Sequence, residues 1–169
     1  MLSSAEAVLT ATSVLITEGE LLDARRWDEW LALYRENCVY RVPAWRDELT
    51  ETDDPDRELS IIYHGNRRGL EERVARIKSG KSVSAYPLPR TTHFVSNVTA
   101  QVTVDGFICA RASWMVRAYR PRDGHQTANF GRLETTLVAG ETGTDWRYDR
   151  KIVNLVNDQI PTMIDFYLL

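Results

Sequence analysis

Hydrophobic positions along the chain change period twice, and the changes mark out its elements. Near the start, Ser3 and Glu6 have the spacing of a capping box. The helix they open places Val8, Ala11, Leu15 and Leu22 near one face. Asp23 is positioned to cap a second helix, in which Trp27, Trp30, Leu31 and Tyr34 recur at i, i+3, i+4 and i+7. That stripe leaves Asp28, Glu29 and Arg35 for water or partners, and Asn37 ends it. The period then falls to that of a strand from Cys38 to Trp45, where Pro43 signals an edge or a bulge. The polar run from Arg46 to Arg57 reads as an exposed loop, and a short strand follows from Ser60. Asn66 is placed to cap a third helix with Leu70, Val74 and Ile77 on one face, a Glu72–Arg76 pair on its surface and Gly80 as its stop.

After the connector punctuated by Pro87 and Pro89 the pattern becomes that of strands. Thr92–Val104, Phe107–Arg120, Gln126–Val138 and Trp146–Asn157 are separated by Asp105-Gly106, Asp123-Gly124 and the segment Gly140–Gly143. The first two are hairpin signals. Helices followed by an antiparallel meander make an α+β layout, with the sheet curling around the helices. No repeat, low-complexity tract or linker divides residues 1–169, so a single domain is expected.

Composition narrows the function. A net charge of −3 with both signs interspersed offers no basic stripe for nucleic acid. The opening twenty or so residues lack a basic region and a continuous apolar core, so no signal peptide is read there, and no run is apolar enough to span a membrane. Cys38 and Cys109 are expected to be reduced core thiols of a cytoplasmic protein. A Rieske cluster needs paired, short-spaced Cys and His ligands, and none occur. The histidines, His64, His93 and His125, fall on three different predicted elements without ligand spacing. They read as a turn or interface residue, a hydrogen-bonded strand residue and a hairpin residue. No nucleophile elbow, phosphate loop or dinucleotide fingerprint is present.

The blocks from Leu22 to Trp45 and from Ser60 to Asn97, in this order, together with the closing IPTMIDFYLL, resemble the small (β) subunit of aromatic-ring-hydroxylating dioxygenases, in particular the benzoate, anthranilate and halobenzoate branch. The likeness runs nearly end to end. It implies the cone-shaped, cystatin-like fold of the nuclear transport factor 2 superfamily, with three helices packed on a curved, mostly antiparallel sheet. It also implies a non-catalytic subunit, without cofactor or metal of its own, assembled three plus three with a large (α) subunit into a mushroom-shaped hexamer. The large subunit would carry the Rieske 2Fe-2S cluster and a mononuclear Fe(II), fed from NADH by a reductase, for oxidation of a benzoate-like aromatic substrate with O2. Asn66, Arg67 and Gly69 match the family's helix-opening segment. Arg90 to His93 match a second segment, where an arginine fork suits a subunit boundary.

The ending from Phe166 through Tyr167, Leu168 and Leu169 is apolar and should be docked, in its own cone or against a neighbour. Trp114, Met115, Tyr119, Phe130 and Trp146 exceed what one sheet face needs, a surplus that suits an interface. Arg90, His93 and Phe166–Leu169 are therefore the candidate interface residues. A second reading stays open: a stand-alone cone-fold enzyme or small-molecule binder of the dehydratase or isomerase type, moving a proton with Asp28, Tyr34 and His93 in its own cavity.

Overall fold

The computed structural model describes residues 2–80, 87–159 and 164–169. Part of the proline connector and the Ile160–Pro161 portion of the closing motif lie outside them. Helix α1 (Ser4–Asp23) opens on the expected capping box: the Ser3 hydroxyl accepts from the Glu6 amide and the Glu6 carboxylate from the Ser3 amide. It buries Ala7, Ala11, Leu15 and Leu22. The helix ends in a Schellman turn with Arg25 in the left-handed region, φ 56°. Its guanidinium donates to the carbonyls of Leu88 and Pro89 at the entry to the sheet.

The second helix differs from the expectation at both ends. Helix α2 spans Trp27–Ala32, with Arg26 at its N-cap and no side-chain cap. Asp23 is still in the last turn of α1 and does not cap it. Nor does the helix reach Asn37: Tyr34 already belongs to strand β1 (Tyr34–Pro43). Six or seven residues cannot separate a helical from an extended apolar stripe when both leave Trp27, Trp30 and Tyr34 inward. Pro43 marks a register shift, as expected of a bulge.

Strand β2 (Ser60–His64) leads into helix α3 (Arg68–Lys78), which buries Leu70, Val74 and Ile77. The Asn66 side chain accepts from the Arg68 amide just ahead of it. Glu72 pairs with Arg68 rather than with Arg76. The meander follows as β3 (Arg90–Val102), β4 (Ile108–Arg120), β5 (His125–Ala139) and β6 (Trp146–Leu155). Gly106 and Gly124 take positive φ in the two Asp-Gly turns, where a Cβ would be strained.

These strands form one sheet in the order β2-β1-β6-β5-β4-β3. All neighbours are antiparallel except β1 and β6, which run parallel. Register shifts at Ser96/Thr99 on β3 and Thr136/Leu137 on β5 bend the sheet. On β4 burial alternates strictly: Ile108, Ala110, Ala112, Trp114 and Val116 face the core under α1, and the residues between them face outward. The result is the expected α+β cone, helices inside the curl of a mostly antiparallel sheet.

Candidate functional site

The interior of the cone is organised by a carboxylate. Glu18 falls on the apolar stripe of α1, between Leu15 and Leu22, and is 3% exposed. One of its oxygens accepts from the Tyr34 hydroxyl at 2.5 Å and the Trp30 indole at 3.2 Å. The other accepts from the Tyr148 hydroxyl at 2.8 Å and the Lys151 ammonium at 2.7 Å. Burial pushes this carboxyl up, but the charge of Lys151 and the donated hydrogen bonds outweigh it, and Glu18 is held below the usual carboxylate range. Burial and the nearby Glu18 charge push the Tyr34 and Tyr148 phenols well above theirs, so both remain donors. The carboxylate thus has four donors and no spare lone pair aimed at a ligand.

Aromatic rings fill the space around it. Phe166 stacks on Trp30 at 4.5 Å and meets Trp27 edge-on at 5.4 Å, while Tyr34 lies 4.8 Å from Tyr148. Phe166, Tyr167 and Leu169 are buried in their own chain, and Leu168 is partly so. The Asn129 amide donates to the Leu168 carbonyl. A relay fixes the entry to this tail: Arg73 donates to His64 Nε2 at 2.8 Å and to Asp165 at 2.9 Å, and Asp165 caps the Phe166 amide.

The proton-transfer trio is not brought together. Asp28 lies on the surface, ion-paired with Lys78 at 2.6 Å. Tyr34 belongs to Glu18. His93 sits on the inner side of β3 and its Nδ1 lies 2.6 Å from Asp23, whose other oxygen accepts from the His93 amide. The Thr91 hydroxyl completes the set. Burial raises the Asp23 carboxyl, yet these bonds and His93 more than offset it, leaving Asp23 below its usual range. His93 Nε2 is buried without a partner among the described residues. Arg90 is exposed at the start of β3, and His125 is exposed at the second hairpin.

Sequence reasoning passed over Glu18 and read Asp23 only as a helix cap. The signal for Glu18 was an acid on the apolar face of an amphipathic helix. For Asp23 there was none, because its partner is 70 positions away.

The donor set does not suit a metal cluster. Among the described residues no three His, Cys, Asp or Glu side chains converge on one point. Cys38 is buried, its thiol pushed up to about 11 chiefly by burial. Cys109 is exposed on the outer side of β4, which corrects the expectation of two core thiols. No described helix is long and apolar enough to cross a membrane.

The outer face of the sheet is polar over most of β3 to β5 but carries one apolar line. Phe94, Met115 and Phe130 are register partners across β3, β4 and β5 and form a continuous apolar row. Phe94 and Phe130 are exposed, whereas Trp114, which with Phe130 belongs to the surplus read from the sequence, is buried in the core. Arg117 and Arg132 flank the row on either side. Further along, Arg111, Glu134, Thr136 and Arg150 line a groove of about 370 Å³.

The family described as "Ring hydroxylating beta subunit" matches residues 17–162. The chain is 39% identical to the anthranilate 1,2-dioxygenase small subunit of Acinetobacter baylyi over 97% of its length and 98% of that protein. It is 37% identical to the 2-halobenzoate 1,2-dioxygenase small subunit of Burkholderia cepacia over 99% of both. The crystal structure of the β subunit of benzoate 1,2-dioxygenase from Burkholderia mallei superposes with a TM-score of 0.78 at 30% identity, covering 100% of this chain and 99% of that one. A putative scytalone dehydratase from Novosphingobium aromaticivorans shares the fold, with a TM-score of 0.63 at 14% identity over 86% of this chain and 81% of that one.

Proposed function

The chain belongs to the ring-hydroxylating β-subunit family, and from that premise we propose that it is the structural small subunit of a multicomponent dioxygenase acting on a benzoate-like aromatic acid. The observation that carries this is the contrast between its two faces. Inside, both oxygens of Glu18, the most deeply buried carboxylate among the described residues, are engaged and rings occupy the space around it. Outside, apolar side chains line up across three strands where water would favour polar ones. A protein with a packed interior and an adhesive exterior works by binding other chains.

Members of this family pair with a large subunit that carries the cofactors. In the full assembly three copies of each chain form a cytoplasmic hexamer. The partner holds the Rieske cluster and mononuclear iron and receives electrons from NADH through a reductase. The small subunit's share is positional: it holds the large subunits in register, so that electron donor and acceptor stay close without any residue here reacting. The named relatives act on anthranilate and 2-halobenzoate, which supports an aromatic carboxylate as substrate. The reading treats residues 1–169 as one domain.

Gentle affinity purification of the tagged chain from its host grown on an aromatic acid tests this. The expected eluate is brown, with Rieske-type absorbance and a larger co-purifying chain. A colourless eluate containing this chain alone refutes it.

A further inference from the structure

The apolar tail is tied down by polar groups from three separate elements. Arg73, on α3, reaches two ways: its Nε donates to His64 Nε2 at the end of β2, and its Nη1 donates to Asp165, which opens the tail. The same Asp165 oxygen accepts from the Phe166 amide, and the Asp165 carbonyl accepts from the Leu168 amide at 2.8 Å. The single turn Phe166–Leu168 is therefore held at its first residue, and Arg73 is what holds it.

The position of His64 is fixed by a glycine. A Cβ at Gly69 would collide with the imidazole ring, so the first turn of α3 can seat that ring only because its residue 69 has no side chain. An arginine donates and never accepts, so Nε2 must present its lone pair to Arg73. The docked tail thus goes with a neutral imidazole that carries its proton on Nδ1.

The surroundings of the ring decide what a second proton does. Arg73 and Glu72 face it from α3 and Asp165 from the tail, and Tyr40 is its register partner on β1. Burial pushes the Tyr40 phenol above its usual range, so it stays neutral. Glu72 is exposed and turned toward Arg68, and the near oxygen of Asp165 is already taken by Arg73 and the Phe166 amide. Burial first, and then the charge of Arg73, outweigh the two acids and hold the imidazole below its ordinary pKa. A proton on Nε2 would set two donors and two positive charges face to face across 2.8 Å. Arg73 would have to turn away, and Asp165 is on its other end.

We propose that His64 is an acid-sensitive latch on the C-terminal tail: protonation of Nε2 displaces Arg73, frees Asp165 and lets Phe166–Leu169 lift from the Trp27 and Trp30 rings. The proton shifts an opening equilibrium and does not empty the slot, because Phe166, Tyr167 and Leu169 are buried and keep the docked form in the majority. In the open form the imidazole regains its ordinary pKa of about 6.5. Docking is therefore fully supported above that value and weakens as pH falls below it. The latch lies within one chain and requires nothing of the β-subunit reading, so either can fail without the other.

Hydrogen exchange at the Phe166 and Leu168 amides reads the opening, in the complete protein with any subunit that accompanies it. Wild type is compared with His64→Gln at each pH, so that the intrinsic exchange rate cancels. Glutamine offers Arg73 a carbonyl oxygen and takes up no proton. From pH 7.5 to pH 5.5 the ratio of wild-type to variant rates should rise at least about threefold, under a ceiling of about tenfold set by the open-state pKa. A ratio that does not change overturns the proposal. The tail amides should also be less protected than those of β4 at both pH values, and equal protection would mean that the tail opens only when the whole chain unfolds, which overturns it too.

Gly69→Ala supplies a second variant, since it unseats the ring and changes no titratable group. It should open the tail more at pH 7.5 and show no further acceleration on acidification. Acceleration retained in this variant would assign the proton to another group and overturn the latch.

Discussion

Replacing Lys151 with methionine isolates the role of the buried Glu18 cluster. The substitution keeps the volume but removes the cation 2.7 Å from a carboxylate that is sealed from water. Removing one partner of a buried pair costs about 3–5 kcal/mol, because the other charge stays behind. Here Glu18 retains Trp30, Tyr34 and Tyr148 as donors, which places the loss at the lower end, about 3 kcal/mol. For a chain of this size that corresponds to a Tm lower by about 6–12 °C.

The loss should also depend on pH. In the wild type the folded Glu18 pKa is depressed, so its stabilisation is present above the unfolded value of about 4.3 and is lost as pH falls below it. In the variant burial is no longer opposed by Lys151, the folded pKa rises, and protonation on acidification relieves the penalty. Urea unfolding of both proteins at pH 8 and pH 5.5 should give the larger difference at pH 8. The double variant Glu18→Gln/Lys151→Met should lose less than Lys151→Met alone. A difference below about 1 kcal/mol at pH 8, or one independent of pH, would show that the cluster is not the ion pair described.

Asp28→Asn should change stability by less than about 1 kcal/mol, because its pair with Lys78 is solvent-exposed. Turnover of the assembled oxygenase should stay near wild type, and a hundredfold loss in an intact complex, about 2.7 kcal/mol of barrier, would give Asp28 a chemical role. Phe166→Ala should cost about 3–5 kcal/mol in denaturant unfolding, since the ring is fully buried against Trp30; a loss under 1 kcal/mol would mean that the tail is not docked in its own core. For His64, burial first and then the charge of Arg73 hold the folded pKa below the unfolded value of about 6.5. The stability it contributes is therefore complete above pH 6.5 and declines as pH falls through that value toward the folded pKa. The urea midpoint measured from pH 7.5 to pH 5 should fall less in His64→Gln than in the wild type, and identical slopes would exclude the His64–Arg73–Asp165 relay as the cause.

What could be read from the sequence was what depends on neighbours along the chain. The Ser3–Glu6 box, the Asp-Gly hairpins and the face of α3 are local, and each stands where its pattern put it; the face of α1 does so too, except that Ala7 takes the inward place expected of Val8. The end of α2 was misplaced because Tyr34 fits a helical stripe and an inward strand position equally well; its hydroxyl is recruited by Glu18 from another helix. The partners of Asp23 lie on β3, beyond any local signal, so a last-turn acid looked like a cap for the following helix. The parallel pairing of β1 with β6 is equally non-local. Of the candidate site, the apolar surplus on the strands was legible, but its division into a buried Trp114 and outward Met115 and Phe130, in a row with Phe94, which the surplus did not include, required the register.

The pairing of β1 with β6 also sets the order in which the molecule can form. Strands β3 to β6 are joined by short turns and can zip together from contacts close in sequence. Strand β1, by contrast, joins the sheet beside the last strand, over a hundred positions downstream. Closing so long a loop before any pairing rewards it slows folding. During synthesis Trp27, Trp30 and Tyr34 leave the ribosome early and wait for Tyr148 and Lys151 to arrive. The first third of the chain is thus made first and finished last, and its exposed aromatic residues during that interval make low temperature and slow expression the conditions under which this protein should be produced.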